Sequence, residues 1–379
     1  MFKKIGILGG GQLGRMLVSS SIPLDMDVWI MENTHDCPSA QVTPNFILGD
    51  ITNYEDVIRF GKNMDVLTIE IENVNVEALR HLKEKGKLVY PDPEIIEMIK
   101  DKGLQKQYYH KNSLPTPAFT LWNNKAELLA SVENDKLKLP FVQKLRTEGY
   151  DGRGVLVVTD REQLKDVFDA PSFTEPLVNI AGEYAVIVAR NALKDISVFP
   201  VVEQVFHPDA NLLDYLISPS ALAQHSQEAM QNIAIDIVEK MDFVGIIAIE
   251  FFISKNGEIL INEAAPRPHN SGHHTIESCN YSQYDMHLRA ILDLPLPKIV
   301  QHHYAIMKNL VGSQGYAGDT KVEGLTEVLN SESTYFHLYG KKKTKPMRKM
   351  GHITFTGKTH EDVLSNYNTF KDTIKIISQ

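Results

Sequence analysis

Short β-branched runs that alternate with amphipathic stretches constrain the fold of this chain more than any other feature. They fall at 3–8, 27–31, 46–48, 66–71 and 87–90, and such alternation predicts strands and covering helices wound into a βαβ sheet layer. Pro91-Asp92-Pro93 then breaks the pattern, and residues 94–112 have the periodicity of one helix, ended by Leu114-Pro115-Thr116-Pro117. From about residue 115 the chain changes to strand pairs, glycine-rich turns and a long helix at 227–241, which reads as an α+β unit with antiparallel sheets. Pro295-Leu296-Pro297 closes that unit, and alternating runs at 322–328, 334–338 and 352–356 predict a small β-rich unit after it. The expected division is 1–100, 101–297 and 298–379.

With 379 residues, 43% hydrophobic and 23% charged, the chain is long enough for about two or three packed units, so a single small binding module is excluded. Cys37 and Cys279 are too few and too distant for a disulfide scaffold or a zinc cluster, which fits a cytoplasmic protein. A net charge of −9 argues against generic nucleic-acid binding, which calls for a broad basic surface. No apolar run approaches the roughly 18 residues of a membrane helix, and residues 243–249 are stopped by Glu250. The apolar segment after Lys3-Lys4 ends at Gly9-Gly10-Gly11 without a cleavage-type sequence, and reads as a first strand rather than a signal peptide.

Gly9-Gly10-Gly11-Gln12-Leu13-Gly14 follows a predicted strand and opens a predicted helix, so it satisfies G-x-G-x-x-G in its proper context. Glu32 falls near the end of the next strand, where a nicotinamide-dependent oxidoreductase would hold ribose. The same backbone N–H groups suit a substrate phosphate, and a plain tight turn explains the glycines equally well.

Residues 248–254 and 258–262 flank a turn centred on Asn256-Gly257, the strongest short hairpin signal. A two-residue turn with Lys255 opposite Glu258 pairs Phe252 with Ile261, Phe251 with Asn262 and Glu250 with Glu263. Opposed side chains have Cβ atoms about 5 Å apart, where two carboxylates repel unless a cation lies between them. Oxygen ligands on a rigid hairpin suit Mg²⁺, with nucleotide phosphates completing its shell. The alternative is that one glutamate ends its strand and points to solvent. The apolar flanks at 244–249 and 259–261 indicate a buried sheet and favour the metal.

After Glu263 the chain is irregular and rich in donors through His274. Arg267 can clamp an oxyanion with two parallel hydrogen bonds, and Asn270 and Ser271 can orient a planar carboxylate-like species. His269, His273 and His274 lack the accompanying cysteine or acidic spacing of a zinc site. Upstream, Lys144 ends an apolar strand before Gly149-Tyr150-Asp151-Gly152-Arg153-Gly154, which is either a loop that closes over polyphosphate or an ordinary hairpin tip. Lys341, Lys342, Lys343, Lys345, Arg348 and Lys349 form either a solvated hairpin or, if they face that loop, a phosphate-binding strip.

In their order along the chain, these motifs resemble one family over nearly the whole length. The specific parts are residues 9–17, Thr68-Ile69-Glu70-Ile71-Glu72-Asn73, residues 149–154, Asn262-Glu263-Ala264-Ala265-Pro266-Arg267 and His269-Asn270-Ser271-Gly272-His273. They resemble the ATPase-subunit family of phosphoribosylaminoimidazole carboxylase, also called 5-(carboxyamino)imidazole ribonucleotide synthase. The resemblance implies an α/β and α+β chain with the ATP-grasp fold, an N-terminal Rossmann-like domain and a small C-terminal β-rich domain. It implies an ATP-dependent carbon–nitrogen ligase of purine biosynthesis that joins bicarbonate to aminoimidazole ribonucleotide through carboxyphosphate, as a homodimer. For ATP it points to Lys102, Lys144, the loop Gly149, Tyr150, Asp151, Gly152, Arg153 and Gly154, the adenine hinge Glu175-Pro176-Leu177-Val178, ribose-binding Glu183, His207 and Asn262. It makes Glu250 and Glu263 the ligands of Mg²⁺. For the nucleotide acceptor it points to Gln12, Glu72, Tyr150, Asp151, Arg153, His269, Asn270, Ser271, Lys345, Arg348 and Lys349. Arg267 and Asn270 would hold bicarbonate and carboxyphosphate, with Lys345 in the catalytic set. Glu148 stands where the family commonly has glycine, and Val155 where it has glutamine. The competing expectations are another ATP-grasp ligase, of the formate-dependent glycinamide ribonucleotide transformylase or biotin carboxylase type, a nicotinamide-dependent oxidoreductase, and a nucleotide sensor without catalysis.

Overall fold

The computed structural model describes residues 3–147, 154–206 and 213–379. The five expected N-terminal strands form one parallel sheet in the order Phe46–Leu48, Val28–Glu32, Ile5–Leu8, Val66–Ile69 and Leu88–Val89. Ile5–Leu8 and Val66–Ile69 are buried along their whole length, because helices cover both faces of the sheet. The fourth strand ends at Ile69, two residues short of the expected 71, where Glu70 turns towards the glycine loop.

The single helix expected at 94–112 is two, Pro93–Lys100 and Lys102–Lys111. Asp101 between them is extended, with φ −110° and ψ 104°, and its carboxylate accepts from the N–H groups of Gly103 at 2.8 Å and Leu104 at 3.2 Å. The break puts Lys102 in the first turn of a new helix and Lys106 one turn later on the same face.

Three antiparallel sheets follow; one pairs Gly318–Glu323 with Lys343–Thr344 and Lys375–Ser378, and the other two carry the site. The smaller runs Thr120–Trp122, Ser172–Pro176, Phe141–Leu145, Val155–Val158. The larger runs Ile259–Ala265, Gly245–Ser254, Ile180–Arg190, Val202–Phe206, Leu213–Ser218, Tyr304–Val311, Lys349–Gly357, Thr334–Leu338, with Ile196–Val198 paired to Ile180–Arg190. The C-terminal strands thus extend the central sheet, because Tyr304–Val311 pairs directly with Leu213–Ser218. The strand expected at 322–328 is divided: Gly318–Glu323 is a strand, Gly324 is left-handed, and Leu325–Leu329 is a short helix. Val328 kept the apolar pattern going because it is buried from the helix instead.

The helix expected at 227–241 spans Gln224–Lys240 and buries Met230, Ala234, Ile237 and Val238 in one core with Val186, Val188, Ile247 and Ile249. On the opposite face of those strands, Met286 of the helix Gln283–Ile291 packs with Ile187, Ala189, Ile246 and Ala248. Tyr284, Leu288 and Ile291 of the same helix pack against Leu13, Met16 and Leu17 of Gln12–Ser21. One helix therefore fixes the parallel sheet against the antiparallel one and brings the loops of both together.

Candidate active site

Glu250 does face Glu263, by a different route from the expected two-residue turn. The turn has three residues, Lys255, Asn256 and Gly257, closed by Gly257 N–H to Ser254 O at 2.9 Å and Ser254 N–H to Glu258 O at 3.0 Å. Gly257 is left-handed, φ 84°, as the last residue of such a turn requires. Pairing near the turn is therefore offset by one: Phe252 meets Leu260 and Phe251 meets Ile261. A bulge at Asn262 then adds a residue to the second strand and cancels the offset before Glu263. The bulged residue is put to use, since Asn262 Oδ1 accepts from Lys144 Nζ at 3.1 Å.

Cations from two other elements meet this hairpin. Lys102 Nζ pairs with Glu263 Oε2. Glu175 is buried between Lys106 Nζ at 2.5 Å and Lys144 Nζ at 2.8 Å, so both its oxygens are held by lysines. Lys106 Nζ also lies 2.6 Å from Thr116 Oγ1. Glu250 is answered differently: Gln204 Nε2 donates to its Oε1 at 3.0 Å, and His269 Nε2 stands 3.8 Å from the same oxygen.

These contacts divide the charge unevenly. Burial, then repulsion from Glu263, pushes Glu250 up to about 7. Burial also opposes the charge on Glu263, but Lys102 holds it below the usual carboxylate range. The facing pair therefore carries its negative charge on Glu263 and retains a proton on Glu250 close to neutrality. Burial works against Lys102, yet Glu263, followed by Glu250 and Glu175, raises it above an ordinary lysine. At Lys106 burial prevails and lowers it to about 8, against the pull of Glu175. Burial opposes the Glu175 carboxylate too, but Lys144 and Lys106 keep it below its usual value. Glu183, raised by burial with Lys144 opposing, stands opposite Phe252 in the sheet. Pro176 and Leu177 are exposed and Val178 is half-buried.

Past the hairpin, Arg267 Nε lies 2.9 Å from Glu72 Oε1, which links the antiparallel sheet to the N-terminal unit. His269 is held by Gln283, whose Oε1 accepts from the His269 N–H at 2.8 Å and whose Nε2 donates to its carbonyl at 2.7 Å. The His269 Nδ1 lies 2.9 Å from Ser271 Oγ, so the buried Ser271 orients His269. Both amide atoms of Asn270 are closed off from solvent and have no hydrogen-bond partner among the described residues. A planar oxyanion that also carries a hydroxyl would complete them, its oxygen accepting from Nδ2 and its O–H donating to Oδ1. His273 and His274 turn inward, with Nδ1 atoms 2.7 Å from Tyr284 Oη and 2.8 Å from Ser278 Oγ.

The glycine loop is already filled. Glu70 Oε1 accepts from Gly11 N–H and Oε2 from Gly14 N–H, each at 2.9 Å, and Glu32 Oε2 accepts from Gly10 N–H at 3.0 Å. The carboxylate expected on ribose is thus spent on the loop, and three of the N–H groups a pyrophosphate would approach are taken, which argues against the nicotinamide alternative. Gln12, partly buried, is the first residue of the helix behind this loop.

The cationic strip is divided. Lys342 pairs with Asp36 at 2.5 Å, Lys343 pairs with Asp319 at 2.7 Å, and Lys341 Nζ donates to Lys349 O at 2.6 Å. Arg348 Nη1 donates to Lys343 O at 2.5 Å, while Lys345 is exposed and makes no ion pair among the described residues. The Lys342 pair and a bond from Gln41 Nε2 to Gly340 O at 2.8 Å hold the strip against the N-terminal unit. Glu148, Gly149, Tyr150, Asp151, Gly152, Arg153 and His207 lie outside the described residues; Gly154, the last residue of the loop, accepts at its carbonyl from Leu145 N–H at 2.8 Å.

Sequence reasoning misses Lys106, Gln204 and Gln283. The four-residue spacing of Lys106 from Lys102 becomes a signal only once the helix start at Lys102 is known. Nothing local marks either glutamine.

Three family models match the chain: a ribonucleotide synthetase preATP-grasp domain over residues 2–100, an ATP-grasp domain over 107–284, and a phosphoribosylaminoimidazole carboxylase C-terminal domain over 305–366. Phosphoribosylaminoimidazole carboxylase of Saccharomyces cerevisiae is 37% identical over 365 residues, which cover 93% of this chain and 63% of that relative, so the chain spans less than two thirds of its length. The crystal structure of N5-carboxyaminoimidazole ribonucleotide synthetase from Thermotoga maritima is similar over 100% of both chains, with a TM-score of 0.91 and 36% identity. That of the Aspergillus clavatus enzyme in complex with ADP and 5-aminoimidazole ribonucleotide is similar over 98% of each chain, with a TM-score of 0.87 and 30% identity. Matched along its length in sequence and in fold, the chain belongs to the N5-carboxyaminoimidazole ribonucleotide synthase family of ATP-grasp enzymes.

Proposed function

We propose that this chain carboxylates 5-aminoimidazole ribonucleotide with bicarbonate, converting ATP to ADP and phosphate. The observation that carries the reading is the unbalanced acid pair, Glu250 facing Glu263 on a bulged hairpin, with Lys102, Lys106 and Lys144 gathered beside it. The fungal relative solved with ADP and 5-aminoimidazole ribonucleotide supports the acceptor. Two carboxylates facing each other across a buried hairpin form an all-oxygen pair that fits a hard divalent ion. Glu250 and Glu263 would hold Mg²⁺, which when bound offsets charge on the nucleotide phosphates.

Lys102 and Lys144 take the phosphates in this reading, Glu183 the ribose, and the main chain of residues 175–178 the adenine. A bicarbonate oxygen attacks the γ-phosphorus in line, the bond to the bridging oxygen breaks, and ADP leaves. Arg267, ion-paired with Glu72, orients the bicarbonate, and Asn270 supplies the donor and acceptor that the protein leaves uncompleted. The exocyclic amine of the nucleotide then forms a bond to the carboxyl carbon of carboxyphosphate as the carbon–oxygen bond to phosphate breaks. The amine gives up a proton and the carbamate nucleotide results. Lys345, Arg348 and Lys349 serve the acceptor's phosphate, and Gln12, Glu72, His269 and Ser271, with Tyr150, Asp151 and Arg153, complete its site.

Residues 1–100, 101–297 and 298–379 are the working units of a cytoplasmic homodimer, whose oligomeric state sedimentation equilibrium tests. Among the described residues no helix is long and apolar enough to cross a membrane. The function is tested by ADP release with ATP, Mg²⁺, bicarbonate and the nucleotide, leaving out one component at a time. Turnover is expected to need all of them. Equal ADP release without the nucleotide would reject the acceptor and direct the search to formate with glycinamide ribonucleotide.

A further inference from the structure

The ATP chemistry does not absorb the glycine loop, and the contacts of that loop give it a different task. Glu70 is 8% exposed and bonds the N–H groups of both Gly11 and Gly14 at 2.9 Å. A Cβ on Gly9 would lie 2.5 Å from Glu70 Cγ, and one on Gly11 would lie 2.6 Å from Glu70 Oε1. The glycines therefore make room for a carboxylate of this chain, where the motif ordinarily admits an external phosphate. Glu72, two residues on, pairs with Arg267 at 2.9 Å. One short segment after the strand Val66–Ile69 thus touches the start of the Gln12–Ser21 helix and the arginine beside the hairpin.

We propose that Glu70 is a positioning residue for the acceptor site: a built-in anion that fills the helix N-terminus, excludes external phosphate from the loop, and fixes Gln12 relative to the Glu72–Arg267 pair. The inference rests on the proposed carboxylation of 5-aminoimidazole ribonucleotide. Burial raises the Glu70 carboxyl above its ordinary value, while the bonds from the Gly14 and Gly11 N–H groups, Arg267 and the helix dipole favour its charged form, so it holds the loop in one shape without a ligand. Glu70 touches no reacting atom in this scheme. It acts through Gln12 and Arg267.

Two independent variants disturb the same contact. Glu70→Gln replaces an accepting oxygen with an amide that donates towards another donor. Gly11→Ala leaves Glu70 in the chain but drives a methyl group into its carboxylate; Gly11 has φ −70°, which alanine adopts without strain. Thermal melts identify which variants are folded, and ADP-release kinetics then give kcat and the two KM values. Each folded variant is expected to raise KM for the nucleotide about tenfold, on the scale of one charged hydrogen bond, while KM for ATP shifts less than about twofold. The double variant should be no worse than the worse single one, because both break one contact. An unchanged nucleotide KM, or an equal rise in both KM values, would overturn the inference. Wild-type turnover separates the two levels: its failure to depend on the nucleotide rejects the proposed function, whereas normal wild-type kinetics with unaltered variants reject only the role of Glu70.

Discussion

The glycine loop at residues 9–14 and the hairpin carrying Glu250 and Glu263 both gather polar groups where buried strands end, and they reach opposite electrostatic states. In the loop, the N–H groups of Gly10, Gly11 and Gly14 are each matched by a carboxylate of the chain. In the hairpin, two carboxylates face each other, one paired with Lys102 and the other pushed up to about 7. The loop has the more familiar motif, but three of its N–H groups are already spent on the chain's own carboxylates. The hairpin has the weaker motif and an imbalance that a bound cation and polyphosphate would relieve. Residual charge, rather than motif shape, separates the structural site from the chemical one.

The largest effect should come from removing charge at the imbalance. Glu263→Gln takes one acid from the pair and deprives Lys102 of its partner, and initial-rate assays at saturating ATP should show ADP release lower by roughly a thousandfold. A variant within about tenfold of wild type would move the chemistry elsewhere. Next in size is the buried support. Glu175→Gln leaves Lys106 and Lys144 facing each other without the anion between them, and urea unfolding should show a loss of about 3–5 kcal/mol.

A smaller effect should depend on pH. Glu250 has its folded pKa raised to about 7, so its contribution to stability is full below the ordinary carboxylate pKa and is lost as the pH rises through 7. Glu250→Gln should therefore raise the melting temperature of the nucleotide-free protein by about 2–4 °C at pH 8 and hardly at all at pH 5. Calorimetry at the two pH values checks the difference, and an equal change at both would contradict it. The smallest effect belongs to Lys342→Ala, because the Lys342 and Asp36 side chains are 65% and 53% exposed. It should cost less than about 1 kcal/mol and leave the nucleotide KM unchanged, marking this part of the strip as matched surface like the glycine loop.

How much could be read from the sequence follows from where each partner lies. The N-terminal strands are legible because covered parallel strands are nearly continuous apolar runs. The helix break at Asp101 is hidden, since apolar periodicity continues through it and only the capping bonds to Gly103 and Leu104 mark it. The facing of Glu250 and Glu263 is legible through two departures that cancel: Asn256-Gly257 suggests a two-residue turn where the chain makes three, and the bulge at Asn262 carries no sequence signature. Glu32 is found in the right place with the wrong partner, because its bond to Gly10 N–H looks like a ribose site until the loop's geometry is known. Glu70 and Lys106 owe their roles to residues remote in sequence, and local patterning does not encode those contacts.

The most direct test of the contrast is equilibrium titration of the wild-type protein and the Glu263→Gln variant with ATP in the presence of Mg²⁺, and of the wild type with NADH. Saturable ATP binding that is lost or strongly weakened in the variant is expected, with no NADH binding. NADH binding by the wild type, or ATP binding of equal strength in both proteins, would contradict that contrast.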